Sequence, residues 1–285
     1  MFAIIGIIVV LGSVIGGFLM EHGNLSVLFQ PAEVVIIFGA AIGGFLIASP
    51  PKVVSAVFKN IFTVVKSKNL GKTIYLELLS LLFQLFTKIR KEGLISVEAD
   101  IENPQNSAIF SKYRGVMSNH HAIDFICDNL KVIITTNVPS HELDSLMDIE
   151  IETHQKEAMI PSNSVAKIAD ALPGLGIVAA VLGVVLTMGK IDQPPAVLGH
   201  SIGAALVGTF LGVLMCYGFV GPMATNLEHS AEQNSVFFQV IKVALVAFVG
   251  GAAPQIAVEF GRRAIPGTAK PSFDELEKEV RSRPK

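Results

Sequence analysis

Charged residues are absent from four long apolar stretches of this 285-residue chain, and this absence indicates the class of protein. The stretches are residues 2–20, 34–49, 172–189 and 199–222. A helix needs about 17 to 25 apolar residues to cross a hydrocarbon layer about 30 Å thick, and only the second stretch is marginal in length. The mean hydropathy of +0.57 agrees with a membrane protein. The sequence therefore predicts four membrane-spanning helices in two pairs.

Cysteines and enzyme motifs are also scarce. Cys127 and Cys216 lie on chemically different segments and form no disulfide framework. No Walker loop, dinucleotide fingerprint, zincin motif or nucleophile elbow occurs at a usable position. Glu150, His154 and Glu157 share a helical face, but a metal site would need a second cluster of matching spacing. We expect no enzyme, no metal or organic cofactor, no nucleic-acid partner and no small-molecule substrate.

Positive charge is distributed unevenly along the chain. The polar insert, residues 50–170, carries thirteen of the 22 Lys and Arg, whereas the short connections 21–33 and 190–198 hold only Lys190. Because Lys and Arg accumulate on the cytoplasmic side of a membrane, the insert, both termini and the C-terminal tail are predicted to be cytoplasmic. The first stretch lacks a preceding cation and a small-residue cleavage site, so we expect a retained helix and not a signal peptide.

Helical patterns fill the polar regions as well. In residues 73–87 a polar stripe runs along one face of an otherwise apolar helix, which predicts a mostly buried helix of a bundle. Its members are Thr73, Glu77, Ser80, Gln84 and Thr87. Ser272 and Glu275 have the spacing of a capping box and predict a short terminal helix. Further helices are predicted at 56–72, 110–138, 140–160 and 227–252.

The expected fold is an all-α membrane protein. Residues 1–49 hold transmembrane helices 1 and 2, and residues 50–170 form a cytoplasmic helical domain. Transmembrane helices 3 and 4 lie in 171–223, and a cytoplasmic helical tail occupies 224–285. A fifth span within 227–252 is disfavoured because Lys242 interrupts its apolar run.

Opposite charges are separated along one short segment of the insert. Lys88, Arg90 and Lys91 precede a turn at Gly93, and Glu98, Asp100 and Glu102 follow it. One interpretation is a solvated surface with local ion pairs, each worth at most about 1 kcal/mol. The other is a docking surface that steers a partner of complementary charge. The sequence leaves both interpretations open.

Small residues recur at helical spacing within the spans, which indicates close helix packing. They form the sets Gly12 and Gly16; Gly39 and Gly43; Gly176, Ala180 and Gly183; and Ala204, Gly208, Gly212 and Cys216. The contacts could lie between four helices of one chain, or within an oligomer that receives an additional helix. So many small faces favour the oligomer.

The predicted spans contain no acidic residue at mid-depth. A proton crossing hydrocarbon needs a titratable group, and intramembrane acids mark such paths. If this protein conducts protons, another polypeptide must therefore supply the carboxylate.

Two prolines lie where spans 3 and 4 reach the same membrane face. Pro173 is near the start of the third span and Pro222 closes the fourth. Proline removes a backbone donor and kinks a helix, so the pair could serve as hinges. Kinks made for packing alone are the other interpretation.

Several segments closely resemble the MotA family of flagellar motor stator proteins, within the MotA/TolQ/ExbB proton channel superfamily. They include residues 6–20, QPAEVVII at 30–37, DIENP at 100–104, LPGLGIVAA at 172–180, VGTFLG at 207–212, YGF at 217–219 and IAVEFGR at 256–262. The resemblance covers essentially the whole chain in order.

This resemblance implies a multi-pass protein of the bacterial inner membrane, in contact with its lipid, that converts proton flow into torque. Five such subunits would surround the spans of two MotB subunits, whose aspartate carries the proton. Arg90 and Glu98 would engage opposite charges on the rotor protein FliG, with Glu150 in the same charged surface. Pro173 and Pro222 would couple ion passage to motion of the cytoplasmic domain.

The resemblance also bears on the coupling ion and on alternatives. Ala180, Thr209 and Tyr217 would line the ion path, and sodium-driven relatives have a threonine where this chain has Ala180, so protons are the expected ion. A TolQ or ExbB-like energiser of an outer-membrane system is disfavoured because those proteins have three spans. A passive membrane scaffold would leave the acid-free spans and the charged turn without a transport role.

Overall fold

The computed structural model describes residues 2–64, 71–136 and 138–282, and the described residues form helices and connecting turns without a strand. The helices are α1 Phe2–Met20, α2 Leu25–Leu28, α3 Pro31–Ala48, α4 Pro51–Val64, α5 Lys72–Glu92, α6 Glu98–Glu102, α7 Arg114–Met117, α8 His120–Thr136, α9 Ser140–Met188, α10 Pro195–Met215, α11 Gly221–Val249, α12 Pro254–Ala264 and α13 Phe273–Ser282. Three-ten turns cover Leu94–Val97 and Phe110–Lys112, and a π-helical turn covers Cys216–Val220. The predicted all-α fold is confirmed.

Four of the described helices are long and apolar enough to cross a membrane: Phe2–Met20, Leu25–Ala48, Ser140–Met188 and Pro195–Val249. Large apolar side chains on their outer faces are exposed, with Ile47 and Leu186 as examples. Such faces are unfavourable in water and suit contact with lipid or with other helices. The prediction of four spans is confirmed.

The chain divides into two compact units. Residues 1–67 and 158–230 form the first unit, and residues 68–157 and 231–285 form the second. The apolar spans belong to the first unit, while α5, α8, α12 and α13 belong to the second.

Within the first unit, α9 and α10 pack at backbone distance. A Cβ added at Gly212 would lie 2.5 Å from the Leu172 carbonyl oxygen and 2.9 Å from Gly176 Cα, and one added at Gly176 would lie 2.7 Å from the Gly208 carbonyl oxygen. Any larger side chain at these positions would separate the helices. Small residues are therefore required at this crossing, as the sequence predicted for close helix packing.

The second unit is built around α5. Leu78, Leu82, Leu85 and Phe86 have no exposed area, and Phe86 stacks on Phe248 of α11 with 4.3 Å between ring centroids. This agrees with the prediction that residues 73–87 form a mostly buried helix. The capping box is also present, since Glu275 N donates to Ser272 Oγ and Ser272 N to the Glu275 carboxylate.

Lys242 is buried in the second unit, where α11 meets α9. Its ammonium group contacts Asp144 at 2.9 Å and Asp148 at 2.7 Å, and both carboxylates are about half exposed. A buried amine is stabilised only when paired in this way. The lysine that argued against a fifth span is therefore part of the helical packing of this unit.

Two predicted helix boundaries are wrong. The helix predicted at 140–160 continues to Met188, because buried or half-buried residues recur every three or four positions through Pro161 and Pro173 and hold it together. The helix predicted at 110–138 is broken into a three-ten turn, α7 and α8. Asn119 begins α8 by accepting a hydrogen bond from Ala122 N.

Two other predictions differ at their ends. The second span begins at Pro31 instead of residue 34, because proline suits the first helical position, where no backbone donor is needed. The helix predicted at 56–72 begins earlier, at Pro51, and α4 is described to Val64. Residues 65–70 of that prediction lie outside the described residues.

The stacked pair Phe86 and Phe248 predicts a sensitive position in the second unit. We expect Phe86→Ala to lower the free energy of unfolding by about 3–5 kcal/mol, because it removes a fully buried ring and leaves a cavity. Chemical unfolding of the purified full-length chain in detergent, followed by circular dichroism, measures this loss. Phe273→Ala, which removes an exposed ring, is the matched control. Equal stability of the two variants would contradict the packing described here.

Candidate functional site

The charged turn between α5 and α6 is held in a fixed shape. Gly93 ends α5 with φ at +88°, a conformation that side-chain-bearing residues rarely adopt. Ser96 Oγ donates to the Gly93 carbonyl oxygen at 2.7 Å within the following three-ten turn. The chain therefore reverses between the basic and acidic ends of this segment through a defined geometry.

Asp100 anchors the acidic side of the turn. It is 9% exposed, its Oδ2 receives a bond from Lys88 Nζ at 2.8 Å, and its Oδ1 accepts a bond from Ser107 Oγ at 2.5 Å. Lys88 and Asp100 therefore form the local ion pair that one interpretation of the segment predicted. This pair fixes α6 against the end of α5.

Arg90 and Glu98 have a different environment. Both side chains are exposed, and within the described residues neither forms an ion pair. Arg90 lies in the last turn of α5 and Glu98 in the first turn of α6, where each charge suits its helix dipole. These two charges, flanking one rigid turn, remain available to a partner, as the docking interpretation requires.

Glu150 lies elsewhere in the second unit, on α9. Its Oε2 accepts a hydrogen bond at 3.1 Å from the Asn129 side chain of α8, and burial raises the pKa of this carboxyl. Nearby, burial lowers the pKa of His154, whose ring is 5.3 Å from that of His121. Glu150 is therefore tied to α8 by a hydrogen bond, unlike Arg90 and Glu98, whose side chains are exposed without an ion pair among the described residues.

The predicted hinge prolines lie inside continuous helical backbone. Pro173 is within α9, and Pro222 is in the first turn of α11, directly after the π-helical turn Cys216–Val220. Pro222 has no N–H to donate to the carbonyl four residues back. The preceding backbone is widened into the π-helical turn, in which Gly221 N donates to Cys216 O, five residues back. The structure therefore shows an irregular helix beside Pro222 and a regular one at Pro173.

A buried hydrogen bond joins α9 and α11 near these prolines. Ser162 Oγ donates to the Ala224 carbonyl oxygen at 2.9 Å, and Ser162 is 3% exposed. The bond follows Pro161 in α9 and Pro222 in α11, so the two helices are connected where both contain proline. Sequence reasoning missed this contact because a lone serine carries no pattern.

Two of the predicted ion-path residues, Ala180 and Thr209, lie at the crossing of α9 and α10. A Cβ at Gly208 would lie 3.2 Å from Ala180 N, and one at Gly176 would lie 3.3 Å from Thr209 Cα, so both residues belong to the crossing of α9 and α10. Tyr217 is on the π-helical turn and is 74% exposed. It does not share the enclosed surroundings of Ala180.

An acidic residue at the same crossing was missed by sequence reasoning. Glu33 lies in the first turn of α3 and is 8% exposed. A Cβ at Gly208 would lie 2.6 Å from Glu33 Oε2, and one at Gly183 would lie 3.7 Å from Glu33 Oε1. The expectation of no acidic residue at mid-depth concerned the predicted spans, which began after Glu33, so the enclosure of this acid at the crossing is visible only in the tertiary structure.

A signal for Glu33 was present in the sequence. Proline at the first helical position and an acid two residues later are typical of a helix start, so Pro31 and Glu33 mark the beginning of the span. The sequence pattern, however, predicts a connection that ends at Glu33, and a residue in such a connection is expected to be exposed to water. Only the packing of α3 on α10 shows that it is buried.

Elsewhere in the described part of the chain, no group of three or more His, Cys, Asp or Glu is arranged to hold a metal ion. Both cysteines are buried and unpaired, and burial raises the pKa of Cys127 to about 12. The prediction of two thiols without a disulfide is confirmed.

Comparison with known families gives two matches along the chain. Residues 4–93 match the family described as Motility protein A N-terminal, and residues 117–240 match the MotA/TolQ/ExbB proton channel family. Together they include the charged turn's basic side, the spans, Ala180, Thr209 and both predicted hinge prolines.

Curated relatives match over nearly the full length. Motility protein A of Escherichia coli is 45% identical over 99% of this chain and 96% of its own length. Chemotaxis protein LafT of Vibrio parahaemolyticus is 36% identical over 96% of each chain.

Solved structures share the fold. The Bacillus subtilis flagellar MotAB stator complex contains a chain with a TM-score of 0.73 and 25% identity, covering 90% of this chain and 92% of that one. A Campylobacter jejuni MotAB chain has a TM-score of 0.79 at 18% identity, covering 95% of this chain and 98% of that one. With four spans, the matching fold and near-full-length relatives, the chain belongs to the MotA/TolQ/ExbB proton channel family, among its motility protein A members.

Proposed function

We propose that this chain is a flagellar motor stator subunit that works with a MotB-type partner to couple proton flow across the inner membrane to torque on the rotor protein FliG. The observation that carries this proposal is the 45% identity to a motility protein A over 99% of the chain. The two solved structures with this fold are described as MotAB complexes, which supports a MotB-type partner.

The exposed apolar faces of the spans support assembly with other helices. α1 has no buried residue, and α3, α9 and α10 also present apolar side chains outward. In the proposed complex, five copies surround the spans of two MotB subunits, and the remaining apolar surface contacts lipid. The uneven distribution of Lys and Arg supports a cytoplasmic position for both termini and the second unit.

The charged turn is the proposed rotor contact. Arg90 and Glu98 are exposed on either side of the fixed turn, so they can meet acidic and basic residues of FliG without first breaking internal ion pairs. Glu150 is proposed as a further member of the charged surface, although its bond to Asn129 restrains it.

Ala180 supports protons as the coupling ion. Its methyl group offers no oxygen ligand, and hard cations bound by proteins prefer such ligands. One charge passing through 100 mV yields about 2.3 kcal/mol, enough to shift a conformational equilibrium at each passage. The proposed coupling elements are Pro173 and Pro222, which would change the geometry of α9 and α11 within the first unit.

The alternatives are a TolQ or ExbB-like energiser and a passive scaffold. The match of residues 4–93 to the Motility protein A N-terminal family favours the stator over the energiser. A passive scaffold would neither transport protons through the spans nor generate torque. Neither role involves covalent chemistry on a substrate, and none is proposed.

Restored motility in a stator-deleted flagellated cell tests the function. We expect this chain, expressed with its cognate MotB-type protein, to restore swimming. Speed should persist when sodium is replaced by potassium at a constant proton gradient, because Ala180 disfavours sodium. Assembly at the membrane without rotation would support a scaffold, and loss of swimming on removing sodium would contradict proton coupling.

Charge reversal tests the rotor contact. We expect Arg90→Glu to reduce motor torque severalfold, because an attraction to the rotor becomes a repulsion. Reversal of the facing acid on FliG should restore at least half of the torque. Lys112→Glu, which reverses an exposed cation on a different turn, is the matched control. Full torque in Arg90→Glu would count against a dominant role for this residue.

Replacement of the prolines tests the coupling elements. We expect Pro173→Ala and Pro222→Ala to leave assembly at motors intact and to abolish rotation, because a restored backbone donor favours one regular helix. Fluorescent fusions report assembly, and tethered cells report rotation. Pro195→Ala, at the first position of α10, is the control. Normal rotation in both variants would show that the two prolines serve packing alone.

A further inference from the structure

Glu33 is buried in the first unit at the crossing of three span helices. Its Oε2 has no hydrogen-bond partner among the described residues, and the residue is only 8% exposed. The carboxyl extends from α3 toward α10 and reaches the backbone at Gly208. This is the one acidic side chain that the structure encloses in the described parts of the spans.

Glycine and alanine residues create the space for this carboxyl. A Cβ at Gly208 would come within 2.6 Å of Glu33 Oε2, and a Cβ at Gly183 would meet Ala205 Cβ at 2.6 Å. A side chain at Gly208 would clash with the carboxyl, and a side chain at Gly183 would push α10 away from α9 beside it. The small residues therefore have a second effect besides helix packing, because they form an enclosed site for an acid.

The same site adjoins Ala180. A Cβ added at Gly208, 2.6 Å from Glu33 Oε2, would lie 3.2 Å from Ala180 N and 3.0 Å from Ala179 Cβ. Ala180 was assigned to the ion path from sequence resemblance, independently of Glu33. The buried acid is therefore a near neighbour of a residue placed on the path for other reasons.

A charged carboxylate at this position would be costly. Within the described residues no Lys or Arg forms an ion pair with Glu33, and an unpaired charge in an apolar interior is strongly unfavourable. A protonated carboxyl is a neutral group that costs far less to bury. Occupancy by a proton thus stabilises the observed packing, and loss of the proton destabilises it.

We propose that Glu33 is a proton-carrying group of this chain, which takes up a proton from the outer side and passes it on beside Ala180 and Gly208. The inference rests on the proposed function, which supplies the acceptor carboxylate of a partner subunit. It adds a second carboxyl to the path, contributed by this chain itself.

The proposed transfer conserves atoms and charge. A hydronium ion gives its proton to Glu33 Oε2, so that an O–H bond forms and a water molecule is released. That O–H bond breaks when the partner's carboxylate oxygen accepts the proton, and Glu33 becomes an anion. The cost of this buried anion favours uptake of the next proton, and the proton gradient, with the outer side more acidic, gives the transfer its direction.

Substitutions at position 33 test the proposal in the complete stator in stator-deleted cells. Glu33→Gln keeps the shape and removes the titration, so we expect assembly at motors to be unchanged and rotation speed to fall at least tenfold. Glu33→Asp keeps a titratable group, so we expect measurable rotation with a shifted dependence on external pH. Glu21→Gln, which changes an exposed acid in the connection that follows α1, should behave as wild type.

A glycine pair on α10 tests the enclosed site. Gly208→Ala places a methyl group 2.6 Å from Glu33 Oε2, whereas a Cβ at Gly203 meets only Val27 Cγ1 at 4.0 Å. We expect Gly208→Ala to reduce proton influx, measured with a cytoplasmic pH indicator after an external acid pulse, and Gly203→Ala to leave it unchanged. Equal influx in both variants would contradict a carboxyl site at Gly208.

Several results would overturn the proposal. Wild-type speed and pH dependence in Glu33→Gln would show that the neutral side chain only packs. Equal loss of rotation in the Gln and Asp variants, assembled or not, would show that side-chain length matters and not the proton. Failure of the wild-type chain to rotate motors in the same cells would instead contradict the proposed stator function, so the two failures are distinguishable.

Discussion

Backbone-distance packing between α9 and α10 is the contact on which the first unit depends. Gly176, Gly208 and Gly212 let the two helices approach until a Cβ on one would meet backbone atoms of the other. In a membrane the hydrophobic effect does not drive helices together, so close van der Waals contact must stabilise them. The same contact places Ala180 and Thr209 together, and it determines where the carboxyl of Glu33 lies.

The second unit depends on a conventional apolar core, and its functional surface depends on one buried acid. α5 is enclosed by α11, α12 and α13, which leaves its C-terminal end as a rigid support. Asp100 fixes α6 to that end through Lys88 and Ser107. Since Asp100 provides the structural ion pair, Arg90 and Glu98 need not pair with each other. Lys88, Asp100 and Ser107 therefore fix the shape of the turn, while Arg90 and Glu98 keep their charges available.

Proline has different consequences in the long helices according to its surroundings. α9 remains helical through Pro161 and Pro173 because buried residues on the same face continue on both sides of each proline. Just before Pro222 the helix widens into a π-helical turn, one of the local adjustments by which membrane helices accommodate proline. The two predicted coupling prolines are therefore not equivalent. Pro222 follows an existing irregularity, whereas Pro173 lies in regular helix.

The sequence alone determined the features that follow from local pattern. Apolar stretches of span length predicted four spans, the polar stripe at 73–87 predicted α5, and Ser272 with Glu275 predicted the start of the tail helix. Each follows from spacing along the chain, because helix periodicity and capping involve residues a few positions apart. The separation of Arg90 from Glu98 was likewise visible, although their freedom from ion pairs was not.

Only the tertiary structure decided the rest. Asp100 and Glu98 look alike in sequence, and their different roles depend on which of them meets Lys88. Glu33 stood at the edge of a predicted connection, and its burial depends on α10 residues about 175 positions away, a pairing that no local pattern encodes. Helix formation is dictated by neighbouring residues, whereas the environment of a charge is dictated by distant ones, so the site became visible only once α3, α9 and α10 were packed.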